Sequence, residues 1–272
     1  MIFLRVISIT ALILINFYNL TFSQSSIDEP FNVDTDKEIM IGAAGVAFGV
    51  AAIILNSNTQ PLTYNEINSL NPQDVNKFDR IAIGPYESDV LGDVLMYGSF
   101  AFPLTFLTYD KTLEDFGTIS LMYGEAVLLN ASLNTLLKVL TLRDRPFVYD
   151  KNSLIEPKLN VDARYSFFSG HTSMAAVNTF FTAKVYSAYI SDGTTKTLLW
   201  TAAAIIPAIT GYARIITHNH FPTDVIVGYI VGAAIGYFIP EIHKTDDAET
   251  SNITTAPQEL IHRPLIGFQI TF

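Results

Sequence analysis

The 272-residue chain contains no cysteine, which excludes disulfides, thiolate nucleophiles and cysteine-held zinc or iron–sulfur centres together. Catalysis would therefore have to rest on His, Ser, carboxylates or cationic side chains. A lipobox cysteine is missing with the rest, so lipoprotein anchoring is out. Charge is scarce as well: Asp, Glu, Lys and Arg make up 15% of the chain, against about 25% in ordinary soluble domains. Within that small set the basic residues are outnumbered 16 to 26, for a net charge of -10. Such a chain has no general basic surface with which to grip nucleic acid, and no nucleic-acid partner is expected. Internal repeats and low-complexity tracts are absent too.

What is present is apolar. Hydrophobic residues make up 49% of the chain and mean hydropathy is +0.31. They gather in six stretches, residues 39–55, 94–109, 116–137, 171–191, 197–213 and 225–240, of which only the third and fourth carry a charge, Glu125 and Lys184. Small residues crowd several of them, including the spaced pair Gly232 and Gly236, which lets helices approach closely. Four of the runs have 16 or 17 residues, short of the ~20 that cross a bilayer core of about 30 Å. Pro103, Pro207 and Gly211 within the runs are tolerated better in membrane helices than in water-exposed ones. The expectation is an all-α six-helix bundle embedded in a membrane, with a soluble bundle of buried helices as the alternative.

Ahead of the helices, Arg5, the apolar residues 6–15 and Thr21-Phe22-Ser23 have the layout of an export signal with cleavage near Ser23, an uncleaved anchor being the alternative. The expected organisation is a signal peptide at 1–23, a linker at 24–38, a helical domain at 39–241 and a tail at 242–272, whose last residues, 264–272, read as a short strand or an apolar terminus. The polar stretch 56–93, with Asn58, Pro61, Asn71-Pro72 and Gly84-Pro85, reads as a surface loop or short interfacial helices.

Three polar clusters fall at helix boundaries. Lys138 is followed after six residues by Arg145-Pro146, with Arg143 and Asp144 between. Cations grouped past an apolar helix in an acidic chain form a local anion site, or else a solvated basic loop. Ser166-Phe167-Phe168-Ser169-Gly170-His171-Thr172-Ser173 has the form of a helix start with Ser169 at or near the N-cap. Helix N-termini bind phosphate readily, although a cap with an incidental His reads the same way. Arg214 is followed after five residues by His220-Phe221-Pro222-Thr223-Asp224. Pro222 suits a first helical turn, and Asp224, four residues past His220, could reach back to an imidazole nitrogen and leave the other free to attack. His218 is read as a neighbour.

K-x6-R-P, then S-G-H, then R-x5-H-x3-D, in this order, resembles the type 2 phosphatidic acid phosphatase superfamily of membrane lipid phosphatases, class A acid phosphatases and vanadium haloperoxidases. The resemblance covers residues 79–237. It implies His220 as the nucleophile that takes the phosphoryl group, Asp224 as its orienting acid and His171 as the general acid. Lys138, Arg145, Arg214, the Ser169 hydroxyl and the Gly170 N–H would bind phosphate oxygens. No metal and no cofactor is implied. Phe168 stands where the family usually has Pro, and Ala213 where it usually has Ser. The implied activity is hydrolysis of a lipid-linked phosphomonoester or diphosphate, with phosphatidic acid, phosphatidylglycerol phosphate, an isoprenoid diphosphate and lipid A phosphate all open.

Three other readings stand beside it: a soluble periplasmic acid phosphatase of broad specificity, a vanadate-dependent halide oxidase, and a membrane or interaction protein that keeps only the fold. The expected setting is a bacterial-type cell envelope, with the bilayer and a phosphorylated lipid as partners and the active site facing the periplasm. One tension is internal to these expectations. A chain cleaved at Ser23 starts outside, and a crossing by residues 39–55 would then bring the catalytic face to the cytoplasm.

Overall fold

A computed structural model describes residues 29–245. The expected signal segment at 1–23 and the terminal apolar run at 264–272 lie outside the described residues. Six long helices carry the architecture: α1 (Thr35–Asn56), α2 (Val90–Ser99), α3 (Phe116–Thr141), α4 (Gly170–Tyr189), α5 (Gly193–Ile216) and α6 (Pro222–Ile242). No strand occurs among the described residues, where the only extended pairing is an isolated bridge between Phe31 and Lys244. The described residues are thus all-helical, as expected.

The helices begin where side chains can satisfy the free N–H groups of a first turn. Asp34, Asp89, Ser169 and Asp192 cap α1, α2, α4 and α5, and Pro222 opens α6. α2 is extended by a turn at Ala101–Leu104 and a 3-10 turn at Thr105–Thr108, the break falling around Pro103. Hence the apolar run at 94–109 is helical in pieces. The polar stretch after α1 folds into short helical turns, Tyr64–Ser69, Pro72–Asp74 and Asp79–Ala82.

α4 is the central helix. It packs against α6, α5, α2 and α3, while α1 lies outside against α3. Its buried face is polar as well as apolar, with Ser173, Asn178, Thr179 and Thr182 inside beside Ala175, Ala176, Val177 and Phe181. The polar side chains are bonded within the bundle: Asn178 receives Tyr123 Oη at 2.8 Å and donates to Ser99 Oγ at 2.8 Å. Five helical stretches, residues 35–56, 90–108, 116–148, 193–216 and 222–242, are long and apolar enough to cross a membrane. α4, the fourth of the expected apolar stretches, is not among them, because its role as core brings in these hydroxyls and amides.

The outer surface reverses the usual arrangement of a water-soluble protein. On α1 the buried positions are Glu38, Gly45, Gly49 and Ala52, whereas Ile39, Met40, Val46, Val50 and Ile54 face outward. α5 and α6 do the same, with Leu198, Ile205, Ile209, Ile226, Ile230 and Phe238 exposed. Small residues point in and large apolar ones point out, the pattern of helices packed in lipid.

Close approach of α4 and α6 sets the depth of the bundle. Gly228 and Gly232 lie against the backbone of α4, and a Cβ built on Gly232 would stand 2.1 Å from the Ser173 carbonyl oxygen, with 2.6 Å from a Gly228 Cβ to that of Ser169. Nothing but glycine fits there. Gly42, on the outer helix, has nothing within 4 Å of its Cβ position. Gly232→Ala should therefore destabilise the purified protein by about 1–3 kcal/mol, the usual range for overpacking, which is roughly 2–10 °C in thermal midpoint for a chain of this size. Gly42→Ala should leave the midpoint unchanged. Equal midpoints for the two variants would show that α4 and α6 are not held at glycine distance.

Candidate active site

The polar clusters converge at one end of the bundle because the helices alternate in direction. α3 and α5 end there, α4 and α6 begin there, and the Asp89 cap of α2 lies there too. A cavity of about 510 Å³ opens at this end, walled by Lys138, Arg145, His171, Arg214 and His220 together with Asp89, Asp93, Asp162 and Asn219. Five of the eight residues expected at the site thus share one cavity wall.

Two turns with positive φ aim these side chains. Leu142, φ 43°, ends α3 by placing its N–H on the Lys138 carbonyl at 3.0 Å. His218, φ 60°, turns the chain between α5 and α6 and donates from Nδ1 to the Ala82 carbonyl at 2.9 Å. Left-handed backbone at a residue other than glycine is uncommon and is held only where the surroundings fix it. After His218, the N–H groups of Asn219 and His220 both reach the Arg214 carbonyl at 3.1 Å, which folds the Arg214–His220 segment into a tight unit.

His220 is 1% exposed. Its Nδ1 lies 2.8 Å from the Ser166 carbonyl oxygen, which can only accept, so Nδ1 carries the proton and Nε2 keeps its lone pair on the cavity side. Burial, and after it the positive charge of Arg145, Arg214 and Lys138, hold the imidazole well below its ordinary pKa. His220 is accordingly neutral at pH 7.

Asp224 does not make the hydrogen bond to His220 that the spacing suggested. Its Oδ2 stands 3.7 Å from Nδ1, because the Ser166 carbonyl has taken that proton. The carboxylate is instead fully buried and accepts from Ser166 Oγ at 2.5 Å, the Phe221 N–H at 2.9 Å and Arg143 Nη1 at 2.5 Å. It therefore acts on His220 through Ser166: the same residue offers its hydroxyl to Asp224 and its carbonyl to His220. Arg143 reaches further, donating to Asp79 at 2.7 Å and lying 4.3 Å above the Phe221 ring. Bonds from Thr223, Asn76 and Arg143 outweigh burial and keep the Asp79 carboxyl below its usual range.

The cations differ in how they are held. Arg145 is clamped by Asp162, to its carboxylate at 2.8 Å and its carbonyl at 3.0 Å, and by the Asn219 carbonyl at 3.2 Å. Arg214 meets Asp89 at 3.2 Å and Asp93 at 3.7 Å, and its buried Nε has no hydrogen-bond partner among the described residues. Lys138 has no ion pair among the described residues. His171 presents Nε2 to Asp93 at 2.8 Å.

Ser169 and Gly170 sit behind this wall. The Ser169 side chain is wholly buried and caps α4, paired with Thr172 Oγ1 at 2.9 Å, and its N–H bonds the Asp224 carbonyl at 3.0 Å. Gly170 packs on Asn134, whose amide donates to the Phe168 carbonyl at 2.8 Å. Neither lines the cavity. Asp89, Asp93, Asp162 and Asn219 are the site residues that sequence reasoning missed, and Ser166 was quoted without a role. The available signal was charge: buried cations such as Arg145 and Arg214 need counterions, and acids in the turns nearest the site are where to look.

Comparison with known proteins agrees with this geometry. Residues 120–247 match the PAP2 superfamily. A lipid A 4'-phosphatase of Porphyromonas gingivalis is 31% identical over 80 residues, 29% of this chain and 30% of that protein. The chain thus matches less than a third of that relative's length. No solved structure matches. The matched segment 120–247 carries Lys138, Arg145, His171, Arg214, His220 and Asp224.

Proposed function

We propose that the protein is a membrane-embedded phosphatase that hydrolyses a lipid-linked phosphomonoester or diphosphate through a phosphohistidine at His220, with no metal in the reaction. The observation that carries this reading is the cavity itself. In a chain of net charge -10, one wall gathers Lys138, Arg145 and Arg214 around a neutral imidazole whose Nε2 is free.

In the first step Nε2 of His220 attacks phosphorus, the P–N bond forms as the P–O bond to the leaving group breaks, and His171 delivers a proton to the departing oxygen. Charge on the three non-bridging oxygens is met by Lys138, Arg145 and Arg214, which do so without reorganising. Positive charge developing on the His220 ring is met at Nδ1–H by the Ser166 carbonyl, itself steadied by Asp224. Water then attacks phosphorus, His171 takes its proton, the P–N bond breaks and inorganic phosphate leaves. The first turn of α4 adds its dipole, with Ser169 and Gly170 shaping the turn rather than touching phosphate.

The outward-facing apolar side chains of α1, α5 and α6 support a bilayer setting over a soluble one. A second, apolar groove of about 310 Å³ between α5 and α6 is lined by Tyr212, Ile215, Val225, Ile226 and Tyr229. Its residues adjoin Arg214 and Asp224 in the chain, which suits a substrate with its phosphate in the cavity and its tail in lipid. We assign the cavity to the extracytoplasmic side. The start of α1 and the end of α6 are at the opposite end, so if α1 crosses the membrane, a cleaved start at Ser23 is incompatible with this orientation.

His220→Ala should abolish phosphate release, a loss of at least about 10³-fold, with lipid phosphates in mixed micelles preferred over water-soluble esters and vanadate inhibiting. Undiminished release by the variant would remove the nucleophile from the scheme. Because His220 is neutral well below the ordinary histidine value of about 6.5, kcat/KM should not fall as pH is lowered through that value on account of His220, and Arg145→Gln should move its acid limb upward. A limb at or above 6.5 that tracks His220 would contradict the electrostatics. A periplasm-only reporter fused at Asn152, an exposed position at the cavity end, should be active. Activity only of a cytoplasmic reporter there would invert the assigned orientation.

A further inference from the structure

A second polar cluster is buried at the other end of the bundle, away from the cavity. Glu38, in the first turn of α1, Glu125, midway along α3, and His243, just past α6, are 7%, 3% and 0% exposed. One ligand-capable atom from each lies within 4.8 Å of the others. Among the described residues no Lys or Arg pairs with either carboxylate.

The hydrogen-bond pattern calls for a cation. His243 Nδ1 lies 2.7 Å from the Ile239 carbonyl oxygen, which can only accept, so Nδ1 is the donor. In a neutral ring the lone pair of Nε2 would then face Glu38 Oε1, only 2.7 Å away. Two acceptors face each other at that distance only if something positive lies between or beside them. Glu125 Oε2 is 3.4 Å from the same Nε2, and both it and Glu38 Oε2 are buried with no hydrogen-bond partner among the described residues.

We propose that Glu38, Glu125 and His243 form a structural site for a divalent transition-metal ion of the zinc class. One imidazole and two carboxylates suit such an ion, and their charge of -2 is cancelled by it. Donor atoms about 2.1 Å from a tetrahedral ion stand about 3.4 Å apart, the separation found between Nε2 and Glu125 Oε2. Glu38 Oε1, at 2.7 Å from Nε2, has to retreat by about 0.7 Å to reach that separation, or yield to Oε2. The bond from Nδ1 to a backbone carbonyl is the second-sphere contact that orients a ligating histidine. Bound there, the ion ties α1 to α3 and α6.

The segment before α1 closes over the cluster. The Asn32 N–H donates to the His243 carbonyl at 2.8 Å, Phe31 is buried, and Lys37 Nζ caps the Ile242 carbonyl at 2.9 Å. α6, with 21 residues, holds this end roughly 30 Å from His220 at 1.5 Å per residue. The site is therefore structural, and separate from the phosphate chemistry.

The test uses the full chain in detergent, purified without chelator. Elemental analysis should find about one zinc-class ion per chain, and the chelator-stripped protein should take up Co²⁺ with visible d–d absorption. Stripping should lower the thermal midpoint, re-addition of Zn²⁺ should restore it, and room-temperature phosphate release should be unaffected. Glu125→Gln and His243→Gln should each reduce Co²⁺ binding at least tenfold. The proposal is overturned if stripped wild-type protein shows neither Co²⁺ absorption nor a Zn²⁺-dependent midpoint, in which case a proton occupies the triad. It is overturned equally if folded variants bind Co²⁺ as wild type does. These readouts involve no phosphate substrate, so their failure and that of the phosphatase reading are separable.

Discussion

The buried carboxylate of Asp224 is the interaction on which the site depends. It takes hydrogen bonds from Arg143 after α3, from Ser166 before α4 and from the Phe221 N–H at the start of α6, so three helix ends meet on one side chain. A charge so deeply buried is tolerable only while every partner is present, and removing one partner of a buried pair typically costs 3–5 kcal/mol. The glycine contacts between α4 and α6 bring these ends within reach. The carboxylate then fixes Ser166, and the Ser166 carbonyl fixes the tautomer of His220. Packing along the helices thus becomes a chemical state of one imidazole.

Around that imidazole, electrostatics runs against the rest of the chain. Arg145 and Arg214 rest on Asp162, Asp89 and Asp93, while among the described residues Lys138 and the Arg214 Nε have no such partner. The arrangement keeps buried cations compensated yet leaves donors directed at an incoming anion. It also resolves the acidic composition: part of the excess of Asp sits at this cavity, as counterions.

Much of this was legible from the residues. Apolar runs located the helices, and Ser169 and Pro222 marked the starts of α4 and α6, because caps and first-turn prolines obey local rules. The spacing of Lys138, Arg145, His171, Arg214 and His220 placed them at boundaries that alternating helices bring to one end. What was not legible involves tertiary choice. Asp224 and the Ser166 carbonyl compete for one imidazole proton, and no spacing reveals which wins. Ser169 could have turned its hydroxyl toward phosphate or toward Thr172, and capping took it. Asp89 and Asp93 reach Arg214 across more than a hundred residues. The polar core of α4 is likewise a consequence of being central, and the cluster of Glu38, Glu125 and His243 joins residues about 205 apart.

Central to the account is a covalent bond between phosphorus and Nε2 of His220. Rapid quenching of a single turnover with phosphate-labelled lipid substrate, followed by peptide mapping, tests it most directly. The label should appear transiently on the peptide containing His220, be stable to alkali and labile to acid as a phosphoramidate is, and be absent from His220→Ala. Turnover by the wild-type protein with no label on that peptide at any time, or label carried by His171 instead, would contradict the account.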